Sequence, residues 1–367
     1  MKEGWTYKKL GEVCDVIAGQ SPSGKSYNES GNGMPFYQGK KEFTNKYIGE
    51  PATWTTEITK IAEKDDILMS VRAPVGDINF ATQKICIGRG LAAIRPKQCI
   101  NKYFLFYYLL AEKKNITGKE GAVFPSISKK DISDITFIYP QIDEQQSIVE
   151  YLDSAFAKID VMKANAGKAL NEAKSLFQAS LKEMLEPREG WEEKTLPDIS
   201  ENLDSIRKPV TKKNRTEGIY PYYGASGIVD YVDDYLFDED LLCISEDGAN
   251  LLMRTYPIAF PISGKVWVNN HAHVLRFRSM TTQRFVEYYF AGHKLDEYIT
   301  GAAQPKLTQK ALNSIRISIP LDINMQQSIV ATLDSLKSKV DQLQANYDKI
   351  SQECDALKQA ILRQVFE

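Results

Sequence analysis

The chain is written twice. Pro140-Gln141-Ile142-Asp143-Glu144-Gln145-Gln146-Ser147-Ile148-Val149 returns as Pro320-Leu321-Asp322-Ile323-Asn324-Met325-Gln326-Gln327-Ser328-Ile329-Val330, and each copy opens a long periodic segment. A repeat of about half the chain implies two similar units related by a pseudo-two-fold axis. Such a molecule suits a target that itself comes in two halves, of which duplex DNA is the obvious case.

The repeat can be followed upstream. Gly4-Trp5 matches Gly190-Trp191 and Pro35-Phe36-Tyr37 matches Pro221-Tyr222-Tyr223, both at an offset of 186. From Ile85-Cys86-Ile87 against Val266-Trp267-Val268 the offset is 181, and it holds through Phe104, Tyr107 and Tyr108 against Phe285, Tyr288 and Tyr289. The length differences therefore fall in loops, where they are tolerated. Short β-branched runs such as Ile67–Val71, Leu91–Ile94 and Leu241–Ile244 read as strands, with short helices at Lys102–Lys113 and Thr282–Gly292.

The segments after each repeat differ in kind. Apolar residues fall at Ile148, Leu152, Ile159 and Met162 in the first, and at Leu333, Leu336, Val340, Leu343, Ile350 and Leu357 in the second. Steps of three and four alternate, which is the seam of a coiled coil. Forty-odd helical residues extend about 60 Å. Neither helix can leave such a stripe bare in water, so the two are expected to pair, antiparallel. The fold class is α+β: two pseudo-symmetric mixed α/β domains, 1–140 and 187–320, separated by two long helices, 141–186 and 321–367, that form an antiparallel coiled coil. As a rod, the pair would set the distance between the domains.

At 367 residues with 43% hydrophobic content, two or three domains with real cores are expected. No apolar run reaches the eighteen or so residues of a membrane span, and Met1-Lys2-Glu3-Gly4-Trp5 does not read as a secretory leader. Cys14, Cys86, Cys99, Cys243 and Cys354 form no CxxC pair, which points to reduced thiols in a cytoplasmic protein. Residues 1–140 carry 20 Lys/Arg against 15 Asp/Glu, and residues 187–320 carry 16 against 18. The first domain can therefore offer phosphates a basic face, and the second only if its charges are sorted in space.

Asp66-Ile67-Leu68-Met69-Ser70-Val71-Arg72-Ala73-Pro74-Val75-Gly76-Asp77, with Cys86-Ile87-Gly88-Arg89-Gly90-Leu91, resembles the target-recognition domain of the specificity (S) subunits of Type I restriction–modification enzymes. Asp240–Leu251 is a second version, and Pro140–Asp153 and Pro320–Asp334 resemble the entries to that family's conserved helical regions. The resemblance covers nearly the whole chain in the right order. It implies a non-catalytic subunit whose two domains each read half of a split double-stranded DNA target. Its helices would act as spacer and dock two methyltransferase subunits, and restriction/translocase subunits would join the complex. No cofactor would sit in this chain; S-adenosylmethionine, ATP and Mg would belong to the partners. No membrane role is implied.

Several motifs bear on rival functions. Gly88-Arg89-Gly90-Leu91-Ala92-Ala93 fits G-x-G-x-x-A, but a strand and not a helix follows, so a tight turn is expected instead of a dinucleotide site. No Asn-Pro-Pro-aromatic or Asp-Pro-Pro-Tyr tetrapeptide occurs. The E-x-K triplets at Glu112 and Glu192 are of a kind that arises by chance. His271-Ala272-His273 lacks a convincing third metal ligand, so no metal is expected. A duplicated protein-binding scaffold and a self-contained DNA-modifying or cleaving enzyme are the competing readings.

Candidate DNA-contacting residues in the first domain are Gln38, Lys40, Lys41, Arg72, Arg89, Lys119, Lys129 and Lys130. In the second they are Lys208, Lys212, Lys213, Arg215, Tyr223, Asn250, Arg254, His271, His273 and Lys306. The basic loop Arg207–Arg215 holds five cations and no acid. Its lysines would grip phosphate, while Gln38, Arg89 and Asn250 are the chemically apt base readers.

Overall fold

The computed structural model describes residues 4–116, 126–301 and 303–367. The chain divides into two compact units, Met1–Ala166 with Asp348–Glu367, and Gly167–Tyr347. Each unit therefore owns one end of both long helices, Ile142–Met184 and Ile323–Phe366.

In the first unit Cys14–Ala18, Leu91–Pro96, Ile67–Ser70 and Ile78–Phe80 form an antiparallel sheet in that order. Its middle strands are apolar over Ile67–Met69 and Leu91–Ile94 because both faces are covered there. Ile67, Met69, Ala92 and Ile94 enter one core, whereas Leu68, Leu91 and Ala93 enter another. Strict alternation along the strand serves two cores at once. A second sheet holds a parallel pair, Phe36↔Cys86 and Tyr37↔Ile87. The helix Lys102–Ala111 is buried along most of its length, with Asn101 accepting hydrogen bonds from the Tyr103 and Phe104 amides. Phe366, at the end of the second long helix, packs edge-on against Phe104 and Tyr108.

The second unit repeats the plan. Ser200–Asn202, Ala272–Phe277, Leu241–Ser245 and Ala259–Ile262 make the equivalent sheet. Leu242, Ile244 and Leu275 face one core, and Leu241, Cys243 and Val274 the other. The parallel pair recurs as Tyr222↔Trp267 and Tyr223↔Val268. In each unit the first strand pairs with the last, Thr6–Lys9 with Thr136–Tyr139 and Trp191–Thr195 with Arg316–Pro320. That last strand feeds directly into a long helix.

The helices pair antiparallel within each unit. In the first, Lys358 Nζ lies 2.5 Å from Asp160 and Lys163 Nζ 3.3 Å from Asp355. In the second, Lys174 Nζ donates to Gln344 Oε1 at 2.7 Å, and Gly167 faces Tyr347. Ile148, Leu152, Ile159, Leu333, Leu336, Val340 and Ile350 contribute to the cores as expected. Met162, Leu343 and Leu357 do not, being 58%, 37% and 47% exposed. Leu170 and Phe156 are buried as well, and Ala155 packs against the same core as Phe156. The neighbours of Met162, Leu343 and Leu357, namely Lys163, Gln344 and Lys358, instead make polar contacts across the helix pair. The correction has a physical cause: an average step of 3.5 leaves i+3 and i+4 open, and other packing chooses between them. Phe156 is drawn in by Tyr107 at 5.5 Å between ring centroids, and the Lys358 ammonium lies 5.3 Å above its ring.

Candidate nucleic-acid interface

In the first unit the parallel pair ends with Gln38 beyond one strand and Arg89 beyond the other. Parallel pairing places both at the same end. The intervening glycines allow the backbones to meet: a Cβ on Gly88 would lie 2.9 Å from Gln38 Cα, and one on Gly90 2.5 Å from the Gln38 carbonyl oxygen. Gly90 N–H donates to that same carbonyl at 3.1 Å. The G-x-G is thus a close-approach turn, as its sequence context suggested. Ser21 Oγ donates to Gln38 Oε1 at 2.9 Å and accepts from the Arg89 amide at 3.2 Å. With its oxygen held, Gln38 offers its amide nitrogen. Gln38, Lys41 and Arg89 line an open cleft of about 650 Å³ together with Tyr27 and Phe36, whose rings stack at 4.8 Å. A hydrogen-bonding amide, a guanidinium and an ammonium on one concave face form a combination able to meet base edges and phosphates.

Other candidates of this unit lie elsewhere. Lys40 is half-buried and, with Lys113, pairs with Asp77. Burial works to raise the Asp77 carboxyl, but Lys113 and Lys40 outweigh it and hold the group below its ordinary range. Lys40 is therefore a structural ion pair and not an open phosphate contact. Arg72 is exposed and its backbone bridges to Ser126, and Lys129 and Lys130 are exposed on a short helix capped by Ser128. Lys119 lies outside the described residues.

In the second unit Lys208, Lys212 and Lys213 are exposed on a loop pinned at several points. Trp267 Nε1 donates to the Lys208 carbonyl at 2.6 Å, and Val210 N–H donates to the Tyr222 hydroxyl at 2.9 Å. Arg215 is a strut, with its guanidinium on Asp230 at 2.9 Å, on the Val210 carbonyl at 3.0 Å, and 4.2 Å above the Tyr222 ring. Tyr223 is half-buried and stacks on Phe260.

Four further expectations need correction. Arg254 is half-buried and donates to the Phe290 and His293 carbonyls, which removes it from any ligand. Asn250 spends its amide on both backbone groups of Tyr256. His273 is fully buried, with Nδ1 2.6 Å from Asp204 and Nε2 2.8 Å from the Leu307 carbonyl. Both ring nitrogens are occupied inside the domain, so the ring cannot reach DNA. Lys306 pairs with Glu246 at 3.1 Å, although it stays half in solvent. His271 is exposed, with Nδ1 2.8 Å from Asp247.

Asp204, Glu246 and His273 bring possible ligand atoms within 4.8 Å of one another. Arg207 already sits 2.7 Å from Glu246 and 3.1 Å from Asp204, so the carboxylates have their cations and the set fits a metal poorly. Burial works to raise the Asp204 carboxyl, yet His273, the Val274 amide and Arg207 together hold it below its ordinary value.

A duplicated polar latch was not anticipated. Gln145, fully buried, donates to the Pro140 and Cys99 carbonyls and accepts from the Asn101 amide. Its counterpart Gln326 donates to the Pro320 carbonyl at 2.7 Å and accepts from the Thr282 hydroxyl at 2.9 Å. Further along each helix Asp153 accepts from Tyr107 and Lys46, while Asp334 accepts from Tyr288 and Arg284. These residues orient each domain's buried helix against the long helix of the same unit. The only signal in the sequence was the Gln-Gln repeated ahead of both apolar stripes; once buried, such a side chain needs partners.

Comparisons with known proteins agree with this layout. The family model for the Type I restriction modification DNA specificity domain matches twice, over residues 2–171 and 188–352. The chain is 44% identical over 163 residues to the MjaX type I restriction enzyme specificity subunit of Methanocaldococcus jannaschii, a protein whose own naming is provisional. That match covers 43% of this chain and only 38% of the relative. The EcoprrI specificity subunit of Escherichia coli is 24% identical over 298 residues, covering 75% of this chain and 72% of that protein. The crystal structure of the HsdS subunit from Thermoanaerobacter tengcongensis shares the fold, with a TM-score of 0.57 at 18% identity over 100% of this chain and 97% of that one. With two matched domains and a long helix after each, this chain belongs to the Type I restriction–modification DNA specificity family.

Proposed function

We propose that this chain is the sequence-specific DNA-recognition subunit of a Type I restriction–modification complex. Each domain reads one half of a bipartite target, and the long helices act as the spacer between halves and as the dock for two methyltransferase subunits. Restriction/translocase subunits complete the assembly. The chain itself carries no catalytic chemistry; methyl transfer from S-adenosylmethionine and ATP- and Mg-dependent steps belong to the partners, in the cytoplasm. No helix among the described residues is long and apolar enough to cross a membrane.

The observation that carries the reading is the doubled family match, over residues 2–171 and 188–352. Gln38, Lys41 and Arg89 share one cleft in the first unit, and the pinned loop of Lys208, Lys212 and Lys213 stands out in the second. The test is to reconstitute the full chain with its methyltransferase and sequence the methylome. A split motif is expected, with binding that weakens steeply as salt rises. A contiguous motif, or a salt slope near zero, would refute it. The chain alone, given DNA, Mg and S-adenosylmethionine, is expected to yield no product.

A further inference from the structure

The hairpin Glu217–Gly224 with Gly227–Val232 breaks the rule that β-branched residues seek cover. Ile219 is 79% exposed, Val229 56% and Ile228 47%, with Tyr231 at 49%. The register explains how. Both Glu217 and Tyr220 align with Val232, which leaves Gly218 and Ile219 unpaired. Tyr222 aligns with Asp230 and Tyr223 with Ile228, which leaves Val229 unpaired. Each is a bulge, a device that re-aims a side chain and occurs preferentially beside functional sites. The first depends on glycine, and the second is crowded beside one. A Cβ on Gly218 would lie 2.2 Å from the Val232 carbonyl oxygen, and one on Gly224 3.0 Å from Val229 Cγ1.

Gly227–Val232 is also an edge strand. Edges are usually blunted by charge, yet this one presents Ile228, Val229 and Tyr231, and its one acid, Asp230, is neutralised by Arg215. The basic loop is fastened to the same ribbon through Val210–Tyr222 and Arg215–Asp230. The exposed acids Glu217, Asp233 and Asp234 gather at the end away from the Gly224–Gly227 turn. Lysines beside an apolar ribbon, with acids set back, match a groove whose walls are phosphate and whose floor carries methyl groups. The major groove admits a two-stranded ribbon, and thymine is the base that shows a methyl there.

We infer that the Glu217–Val232 ribbon is the reading element of the second domain and that Ile219 and Val229 select thymine by contact with its 5-methyl group. This rests on the DNA-recognition reading above and goes beyond it by naming the element and the chemical feature read.

The test uses the full chain with its methyltransferase, on duplexes carrying the methylome-derived motif. The half-site read by residues 187–320 is assigned by exchanging that domain. Uracil, which lacks only the methyl, replaces each thymine of that half-site in turn. At one or more positions binding is expected to weaken by about three- to fivefold, the worth of one buried methyl. The Ile219→Ser/Val229→Ser double variant, altered only at solvent-facing positions, is expected to lose the thymine–uracil difference and to read the other half-site as before. The inference is overturned if every replacement changes affinity by less than about 1.5-fold, if the half-site holds no thymine, or if the double variant keeps the discrimination. Absence of any specific binding by the complex would instead overturn the recognition reading, and this inference with it.

Discussion

Replacing Gln145 with Leu should destabilise the first unit by about 2–6 kcal/mol. Leucine fills nearly the same volume, so little cavity forms and the loss is polar. Three backbone groups lose their partner: the Pro140 carbonyl at 3.0 Å, the Cys99 carbonyl at 3.2 Å and the Asn101 amide at 2.8 Å. Cys99 is exposed and water can satisfy its carbonyl, whereas Pro140 is buried and Asn101 half-buried. An unsatisfied buried group costs about 1–3 kcal/mol, so two such groups set the range. The Asn101 amide lies at the cap of the Lys102–Ala111 helix, so the damage is local to the joint between domain and long helix. Native-state hydrogen exchange reads it directly: the Asn101 amide should lose protection in the variant, and urea unfolding should show the matching loss. Gln146→Ala, which removes exposed bonds to Asn101 Nδ2 and Glu150, is the control and should cost no more than about 0.5 kcal/mol. A Gln145→Leu protein as stable as the control, with the Asn101 amide still protected, would show that the latch does not hold this joint.

The remaining expectations are simpler. Leu170→Asp should cost more than about 3 kcal/mol in denaturant unfolding, whereas Met162→Asp, at a solvent-facing position eight residues earlier, should stay within about 0.5 kcal/mol; the reverse order would restore the seam read from spacing alone. Arg89→Ala should relax base preference at one position of the first half-site, worth about 1–3 kcal/mol, and leave the second half-site unchanged. Lys212→Gln with Lys213→Gln should weaken binding about equally on all sequences and flatten the salt slope by about two. Because the folded Asp204 carboxyl sits below its unfolded value of 3.8, its stabilisation is present above that pH and is lost as pH falls through the folded value. Wild-type stability should therefore drop more steeply than that of Asp204→Asn below about pH 4, in urea titrations; parallel curves would refute the assignment.

Some of this could be read from the residues. The doubled plan follows from the doubled sequence, and the strand runs from β-branched segments buried on both faces. The long helices announce themselves by periodicity, with observed ends at Ile142 and Met184, and at Ile323 and Phe366. The seam was legible only to within one residue. Of the candidate readers, Gln38 and Arg89 come together because parallel strands end side by side, which pattern alone hints at but does not establish. Arg254, Asn250 and His273 looked equally apt, and a one-dimensional reading had no means of seeing the carbonyls and carboxylates that claim them.

Local chemistry by itself determined the repeat, the element types and the antiparallel helices, because periodicity and β-branching act over a few residues and every apolar stripe demands cover. Only the tertiary structure decided which polar groups are spent internally and which remain for a ligand. Whether a buried imidazole or guanidinium finds its partner depends on chain segments tens of residues away: Asp204 for His273, Phe290 for Arg254, Asn101 for Gln145. The cost of leaving such a group unpaired is larger than any local preference, so the fold assigns those partners first and function uses what is left.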